Sequence, residues 1–421
     1  MDKIRIRGER TLRGEVKISG AKNAALPLMV AALLTAEQVT LTRVPRLADI
    51  DTMAKLLSEF GVQIDSPAND PHTLVIDAGD ISNTTAPYDL VRRMRASILV
   101  LGPLLARFHK AAVSLPGGCA IGTRPVNLHL AGLEQLGAQI HLKDGYIQAT
   151  APGGLKGSEI HLTIPSVGAT ENLMMAAALA RGKTILYNAA REPEIVDLIH
   201  LLTAMGAEIE GEGSNVLIIR GRPELAGTRH HIMADRIEAG TYAIGAAVCG
   251  GVVNLLGARS VHLEMPIACL RQAGVTVEEM PEGLRVASSG RPLPVNLTTQ
   301  PYPGFPTDLQ AQIMVLLALA DGASSISETI FENRFMHVPE LSRMGANISV
   351  QAANALVQGV PSLRGAPVMA TDLRASSCLV LAGLAAKGET VISRVYHLDR
   401  GYERIEAKLA ALGADIERIS S

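Results

Sequence analysis

The sequence has 421 residues, a formal net charge of −2 at pH 7, and 48% hydrophobic but only 3% aromatic residues. A chain of this length exceeds one ordinary hydrophobic core, which predicts two domains. A charge close to zero excludes a general attraction to nucleic acid or to an anionic membrane, so we expect neither as a partner. Any anion site must therefore be built from a local cluster of cations.

The first predicted element is a strand at residues 4–7. Residues 1–5 alternate in charge and lack the apolar run of a signal peptide, so none is expected. The longest uncharged run, residues 239–258, contains five glycines and is predicted to form a helix, a turn and a strand rather than a membrane span. The four cysteines show no CxxC or zinc-ligand spacing, which suits a reducing cytoplasm. They are Cys119, Cys249, Cys269 and Cys378.

One short phrase recurs along the chain, in which an apolar helical stretch ends in Gly and is followed by Ala or Val and a strand. Its glycines lie 76, 69, 68, 71 and 68 residues apart, at Gly61, Gly137, Gly206, Gly274, Gly345 and Gly413. Six copies predict six repeated units of about 70 residues. Each glycine is expected at a helix C-terminus with a positive φ.

A second phrase keeps the same spacing and consists of an apolar helix, a turn and a short strand. These helices are predicted to begin near Lys22, Arg95, Thr170, Arg236, Asp308 and Arg374. The sixth unit lacks its last strands, so we expect the N-terminal strand to complete it. This predicts one three-unit domain at residues 21–232 and a second at residues 1–20 plus 233–421, with the active site in the cleft between them.

The stretch Leu115–Pro125 holds three glycines and two prolines around Cys119, with Arg124 five residues later. This composition predicts a loop, and a thiol beside a cation in such a loop is a candidate reactive nucleophile. A glycine-rich turn with an incidental cysteine is the alternative.

Cations stand at the predicted starts of several apolar helices, at Lys22, Arg95, Arg236 and Arg374. A helix N-terminus favours anions over cations, so this placement indicates an anion site, although a solvated side chain explains any single case. Asp308 is ambiguous because Thr307 and Gln310 fit a capping box, which would make it an ordinary first-turn acid. Asp235 with Glu238 has the same pattern.

Histidines provide no metal-site pattern, since no pair at i, i+4 stands beside a carboxylate. His337 and His397 are interpreted as core or surface side chains, and no metal is expected.

Several motifs together resemble the UDP-N-acetylglucosamine enolpyruvyl transferases, a branch of the EPSP synthase-like enolpyruvyl transferase family. The resemblance covers essentially the whole chain. Its motifs are Ser19–Ala25, Pro116–Cys119, Phe305–Asp308, Glu332–Phe335, Thr371–Arg374 and Asp399–Glu403. The family fold is α/β, with two inside-out α/β barrel domains of three repeats each, which agrees with the six units counted above.

The resemblance implies that the 3′-hydroxyl of UDP-N-acetylglucosamine attacks C2 of phosphoenolpyruvate and that phosphate then leaves, as the first committed step of peptidoglycan synthesis. These two substrates are the expected partners, and no cofactor is implied. Phosphoenolpyruvate carries a carboxylate and a phosphate, for which guanidinium groups offer bidentate geometry.

The resemblance also implies a role for individual residues. Lys22, Arg124 and Arg400 would hold phosphoenolpyruvate, with Asn23 beside Lys22, while Arg334 and Arg374 would complete the site. Cys119 would be the general acid and the target of an epoxide phosphonate such as fosfomycin, and Asp308 would be the base. The nucleotide sugar would contact Arg95, Arg124, Pro125, Val126, Asn127, Leu128, Ser166, Val167, Gly168 and Ile330.

Two positions depart from the family pattern: Asn127 stands where many members carry Asp, and Ile164 stands where some carry Lys. The second departure puts a diphosphate contact in doubt. The alternatives are the sister transfer to shikimate 3-phosphate, which would need extra cations, and a catalytically inactive repeat scaffold. A monomer is expected.

Overall fold

The computed structural model describes residues 2–115 and 126–420, which form two compact units. Unit A comprises residues 20–115 and 126–233, and unit B comprises residues 2–19 and 234–420. The chain therefore passes from unit B to unit A after Ser19 and returns after Met233.

The strands in the described residues are short and number 24. They are β1 Lys3–Arg7, β2 Leu12–Lys17, β3 Val39–Thr42, β4 Gln63–Asp65, β5 Leu74–Asp77, β6 Thr85–Ala86, β7 Lys110–Ser114, β8 Gln139–Lys143, β9 Tyr146–Thr150, β10 Glu159–His161, β11 Lys183–Tyr187, β12 Glu208–Glu210, β13 Val216–Arg220, β14 Thr228–His231, β15 Gly251–Leu256, β16 Thr276–Met280, β17 Gly283–Ser288, β18 Leu297–Thr298, β19 Ala323–Ser327, β20 Asn347–Gln351, β21 Asn354–Gln358, β22 Pro367–Met369, β23 Glu389–Ser393 and β24 Asp415–Ile419.

The same residues contain 13 α-helices. They are α1 Lys22–Ala31, α2 Ala48–Glu59, α3 Tyr88–Val91, α4 Leu101–Phe108, α5 Asn127–Gln135, α6 Val167–Ala178, α7 Pro193–Ala204, α8 Arg236–Cys249, α9 Glu264–Gln272, α10 Gln310–Ala318, α11 Val338–Arg343, α12 Ser376–Ala385 and α13 Ile405–Ala411. Short 3₁₀ segments lie at Ala32–Leu34, Arg95–Val100, Ser260–His262, Thr307–Leu309 and Val395–Arg400.

Six four-stranded sheets repeat one topology across the described residues. The strand orders are β14-β3-β5-β4, β6-β7-β9-β8 and β10-β11-β13-β12 in unit A, and β2-β15-β17-β16, β18-β19-β21-β20 and β22-β23-β1-β24 in unit B. In every sheet the first pair is parallel and the next two pairs are antiparallel. The predicted six-unit repeat is therefore confirmed.

The N-terminal strands complete sheets whose other strands are far away in the sequence. β1 pairs with β23 and β24, with Ile4 opposite Ile392 and Arg418, which confirms that the N-terminal strand closes the sixth unit. β2 pairs in parallel with β15. In unit A, β14 pairs in parallel with β3 and so closes the first sheet of that unit. In each unit the first and the last strand along the chain therefore belong to the same sheet.

Three almost entirely buried helices form the centre of each unit: α1, α4 and α6 in unit A, and α8, α10 and α12 in unit B. In unit B the three pack against one another. Every residue of α10 is buried, as expected for a helix that is apolar on nearly all sides. With helices inside and sheets around them, the expected two-domain α/β architecture is confirmed.

The other helices of about two turns or more end at the repeated glycines. Gly61, Gly137, Gly206, Gly274, Gly345 and Gly413 have φ of 100°, 94°, 102°, 87°, 93° and 94°. The predicted positive φ is therefore confirmed at all six positions. A Cβ at Gly345 would meet no heavy atom within 4 Å, so the backbone conformation, not space, requires glycine there.

The predicted helix starts hold at Lys22 and Arg236, which are the first residues of α1 and α8. Arg95 instead begins a 3₁₀ segment that runs into α4. Pro103 lacks the N–H that an α-helix continuing from residue 95 would use, which explains the break. Arg374 lies two residues before α12, and Asp308 lies in the 3₁₀ turn before α10.

Within the described residues, no helix combines the length and the apolar character needed to span a membrane.

The repeated glycine generates a prediction on stability. We expect Gly345→Ala to lower the free energy of unfolding by about 1–2 kcal/mol, because an L-residue is strained at positive φ. Urea unfolding measures this change. Gly153→Ala is the control, since its Cβ would meet only the Arg181 Nη2 atom at 3.9 Å and its φ is not positive. Equal losses in the two variants would contradict the prediction.

Candidate active site

Unit B holds a network of buried charges around Asp308. Arg334 Nη2 donates to Asp308 Oδ1 at 2.6 Å, and Arg374 Nε lies 3.6 Å from Asp308 Oδ2. Arg374 Nη2 also lies 3.5 Å from Asp235 Oδ2. The side chain of Asp308 is 25% exposed, whereas those of Arg334 and Arg374 are 4% and 3% exposed. One carboxylate is thus held between two desolvated guanidiniums and still reaches solvent. We call these four residues the Asp308 cluster.

Arg374 is fixed from several sides. Its Nη1 donates to the carbonyl oxygen of Gly401 at 3.0 Å, and its guanidinium lies 5.3 Å from the ring centroid of Tyr402. Burial alone would lower the pKa of Arg374, but the Asp235 carboxylate, followed by Tyr402 and Asp308, outweighs it and raises that pKa. The guanidinium therefore stays charged inside the unit.

The capping-box interpretation of Thr307 and Gln310 is wrong. The residue before the 3₁₀ turn is Pro306, and Thr307 Oγ1 donates to Glu328 Oε2 at 2.8 Å instead of capping the helix. Thr307 lies inside the 3₁₀ turn, so it does not hold the N-cap position that a capping box requires. Asp308 keeps a first-turn position, but its carboxylate is directed to the two guanidiniums.

Asp235 does cap its helix, as the sequence pattern indicated. Its Oδ1 accepts from the backbone N–H groups of Ile237 and Glu238 at 2.8 and 2.9 Å, while its Oδ2 lies toward Arg374. A single carboxylate therefore satisfies a helix end and neutralises a buried cation. Sequence reasoning missed this second contact because the two residues are 139 positions apart.

The remaining predicted residues of unit B, Arg400 and Ile330, lie in two separate segments. Arg400 is half-buried and ends the segment Val395–Arg400, directly before Gly401, which binds Arg374. Asp399 instead pairs with Arg418 at 2.5 and 3.1 Å. Ile330 is half-buried and donates its N–H to Glu328 Oε1 at 2.9 Å.

Lys22 is the first residue of α1 in unit A, with Asn23 half-buried beside it. Lys22 Nζ lies 3.1 Å from Asp49 Oδ2, and the two side chains are 7% and 5% exposed. A cation at a helix N-terminus is opposed by the helix dipole, so Asp49 compensates it. The sequence did not single out Asp49, whose position in α2 is that of an ordinary first-turn acid.

The residues predicted for the nucleotide sugar lie at three element starts in unit A. Arg95 begins the 3₁₀ segment, Val126, Asn127 and Leu128 form the start of α5, and Ser166, Val167 and Gly168 form the start of α6. Ser166 Oγ caps α6 by accepting from Ala169 N–H at 3.3 Å. Ile164 is 62% exposed.

A buried pair, His129 and Asn172, links these three starts. Asn172 Oδ1 accepts from Gly102 N–H at 2.7 Å, so its amide nitrogen is directed to Ile98 O at 3.3 Å and to His129 Nδ1 at 2.9 Å. A Cβ on Gly168 would lie 3.3 Å from the His129 ring. His129 Nδ1 must therefore accept, which requires a neutral ring. Sequence reasoning missed this pair because both residues lie within helices, without a motif.

Three predicted residues, Cys119, Arg124 and Pro125, lie outside the described residues. The other cysteines are free. Burial raises the pKa of Cys249 and of Cys269 to about 12, and raises that of Cys378 well above its ordinary value. These three thiols are therefore poor nucleophiles. In residues 2–115 and 126–420, no group of three or more His, Cys, Asp or Glu side chains is arranged to hold a metal ion.

Comparison with known proteins places these features in a family. The family model for EPSP synthase (3-phosphoshikimate 1-carboxyvinyltransferase) matches residues 6–409. The chain is 61% identical to the UDP-N-acetylglucosamine 1-carboxyvinyltransferase of Rhodospirillum centenum, over 100% of this chain and 99% of the relative. It is 60% identical to the enzyme of that name in Gluconobacter oxydans, over 100% of both chains.

The solved structure of the enolpyruvyl transferase NikO from Streptomyces tendae matches with a TM-score of 0.89 and 26% identity, over 100% of this chain and 99% of that one. The chain belongs to the EPSP synthase family of enolpyruvyl transferases. The resemblance drawn from the motifs is confirmed.

The His129–Asn172 pair generates a prediction on pH dependence. Burial, and then the charge of Arg95, lowers the pKa of His129 to about 4. The unfolded chain, with an ordinary His pKa near 6.5, binds the proton first, so this stabilising contribution is complete above about pH 6.5 and is lost as the pH falls toward 4. Between pH 7 and pH 5 the loss is about 2 kcal/mol.

His129→Gln keeps an acceptor for Asn172 but cannot titrate, so its free energy of unfolding should fall less between pH 7 and pH 5 than that of the wild type. Urea unfolding at the two pH values measures the difference. His141→Gln, at an exposed position, is the control and should keep the wild-type pH dependence. The same pH dependence in the His129 variant as in the wild type would contradict the prediction.

Proposed function

We propose that this chain transfers the enolpyruvyl group of phosphoenolpyruvate to the 3′-hydroxyl of UDP-N-acetylglucosamine and releases phosphate. The observation that carries the proposal is the Asp308 cluster, in which a partly exposed carboxylate is held by two buried guanidiniums. This arrangement provides a base and two cations for an anionic substrate. The relatives that are about 60% identical over the full chain carry the name of this activity and support the choice of acceptor.

The reaction is an addition followed by an elimination. Asp308 would take the proton of the sugar hydroxyl as its oxygen bonds to C2 of phosphoenolpyruvate, while C3 accepts a proton. Loss of a proton from C3 then restores the double bond as the C2–O bond to phosphate breaks. Guanidinium and ammonium groups would stabilise the charge on the carboxylate and on the leaving phosphate, which is a role for Lys22, Arg124, Arg334, Arg374 and Arg400.

Cys119 is proposed as the general acid that protonates C3. This assignment rests on the family motif Pro116–Cys119 and on the contrast with the other thiols. Burial raises the pKa values of Cys249, Cys269 and Cys378, so none of them is suited to proton transfer near neutral pH. Cys119 would therefore also be the thiol that an epoxide phosphonate alkylates.

Nucleotide-sugar binding is proposed for the element starts of unit A that contain Arg95, Asn127 and Ser166, together with Ile330. The shared support of these three starts by His129 and Asn172 favours a preorganised surface. The sister transfer to shikimate 3-phosphate is less well supported, because the high-identity relatives carry the other name. An inactive scaffold would gain nothing from burying the Asp308 cluster, since desolvated charges are costly.

We place this activity at the first committed step of peptidoglycan synthesis, in the cytoplasm, and in a monomer. Reduced Cys249, Cys269 and Cys378 fit a reducing compartment.

The direct test of the proposed function is phosphate release. Purified protein with UDP-N-acetylglucosamine and phosphoenolpyruvate should release one phosphate for each nucleotide sugar that gains an enolpyruvyl group, measured by a phosphate assay and by mass spectrometry. Shikimate 3-phosphate in place of the nucleotide sugar should give no release. Release with shikimate 3-phosphate alone would replace the proposal by the sister activity, and no release with either acceptor would reject transferase activity.

Asp308→Asn separates a catalytic carboxylate from a merely structural one. Asn retains an acceptor for Arg334, so the variant should fold. It should lose about 10²–10⁴-fold in turnover while binding UDP-N-acetylglucosamine with near-normal affinity, and the acidic limb of the pH–rate profile should disappear. Asp321→Asn, which breaks an exposed pair with Arg291, is the control and should keep wild-type turnover. Turnover of the Asp308 variant within a few-fold of wild type would show that Asp308 is not the base.

A further inference from the structure

We propose that Glu328 is a positioning residue that holds Asp308 and Arg334 at their contact distance. The inference rests on the proposed function, in which Asp308 acts as base. Glu328 belongs to no motif that the sequence singled out, and it lies between β19 and the loop that leads to Arg334.

The carboxylate of Glu328 accepts four hydrogen bonds from three separate segments. Oε1 accepts from Thr299 Oγ1 at 2.8 Å and from the N–H groups of Ile330 and Phe331 at 2.9 and 3.3 Å. Oε2 accepts from Thr307 Oγ1 at 2.8 Å. These segments are the end of β18, the turn that carries Asp308, and the loop that carries Arg334. One side chain therefore joins both sides of the Asp308–Arg334 pair.

Two short arms connect this carboxylate to the pair. Thr307 is the residue directly before Asp308, and Phe331 is three residues before Arg334 and has its ring centroid 5.6 Å from the guanidinium. The arms end in the 2.6 Å contact between Arg334 Nη2 and Asp308 Oδ1, which closes a ring of interactions through Glu328. Loss of the hydrogen bonds in one arm would therefore leave either Asp308 or Arg334 without its connection to Glu328.

Glu328 is itself fixed to the sheet. Its backbone N–H donates to Ala353 O at 2.8 Å, and Thr299 N–H donates to Ser327 O at 2.9 Å. Thr299 Oγ1 also accepts from Thr329 N–H at 3.0 Å. Both arms therefore start from the β18–β19 pair, in which Leu297 lies opposite Ile326 and Thr298 opposite Ser327.

Burial of this carboxylate costs free energy, which its four hydrogen bonds offset. Glu328 is 3% exposed, and its four partners are neutral donors. An apolar side chain could fill the space without desolvating a charge. The four bonds do supply what an apolar side chain lacks, which is a fixed orientation of both arms. A misplacement of about 1 Å at a reacting group can cost roughly 10²-fold in rate.

The test compares two variants at position 328. Glu328→Leu removes all four acceptor contacts, and turnover should fall about 10–100-fold. Glu328→Gln keeps the three contacts at one oxygen, and its amide can donate to Thr307 Oγ1, so turnover should stay within a few-fold of wild type. A crystal structure of the Leu variant should show the Asp308–Arg334 contact lengthened beyond 3.5 Å from its present 2.6 Å. Equal losses in the two variants would overturn the positioning role.

Thr307 provides a second test that does not depend on Glu328 variants folding. Thr307→Val cuts the arm to Asp308 and should lower turnover about tenfold, whereas Thr307→Ser should restore it. The double variant Glu328→Leu with Thr307→Val should be no slower than Glu328→Leu alone, because both break the same connection. Wild-type turnover in Thr307→Val would overturn the inference.

Ser324→Ala is the matched stability control. Its buried hydroxyl accepts from Val295 N–H at 3.1 Å in the same sheet, away from Asp308. It should lower the melting temperature without changing turnover. If Glu328→Leu likewise lowers the melting temperature and keeps turnover within threefold, the inference fails. Failure of the proposed function is distinct, since the wild type itself would then release no phosphate from phosphoenolpyruvate and UDP-N-acetylglucosamine.

Discussion

The interaction on which the site depends is the burial of Arg374 between two carboxylates. Desolvating a guanidinium costs several kcal/mol, and the cost is offset only where opposite charges and hydrogen bonds surround it. Asp235, Asp308, the Gly401 carbonyl and the Tyr402 ring provide those contacts. Because these partners come from three stretches of unit B, the buried guanidinium also fixes where those stretches meet. The site is therefore part of what holds the unit together.

The repeat explains why many charged and polar residues, including several proposed for the site, cluster at element starts. A helix surrounded by other elements must be apolar on nearly all sides, so its polar side chains concentrate at its ends. Lys22, Ser166 and Arg236 stand at the starts of α1, α6 and α8, and Asp308 and Arg374 stand just before α10 and α12. The first N–H groups of a helix have no partner within the helix, so such ends favour anions or capping side chains, as Ser166 and Asp235 show. The architecture therefore provides several positions that favour anions, whichever side chain stands at each of them.

Four carboxylates near these positions differ in the partners that they contact. Asp49 neutralises Lys22, Asp235 caps a helix while pairing with Arg374, and Glu328 receives only neutral donors. Only Asp308 among these four combines close guanidiniums with appreciable exposure. That combination is the reason for proposing Asp308, rather than the other three carboxylates, as the base.

The sequence by itself determined the repeat, the fold class and most of the residues proposed for the site. Each of the six glycines has a positive φ directly after a helix, which is a requirement of the local backbone. Because such a requirement involves only neighbouring residues, the spacing of the glycines was enough to predict it. Only the tertiary structure decided the partners. The capping box at Thr307 was wrong because Thr307 lies inside the 3₁₀ turn, where its hydroxyl donates to Glu328, 21 residues away; the second contact of Asp235 spans 139 residues. Hydrogen bonds between segments distant in sequence depend on how six sheets and their helices pack, and no local pattern encodes that packing.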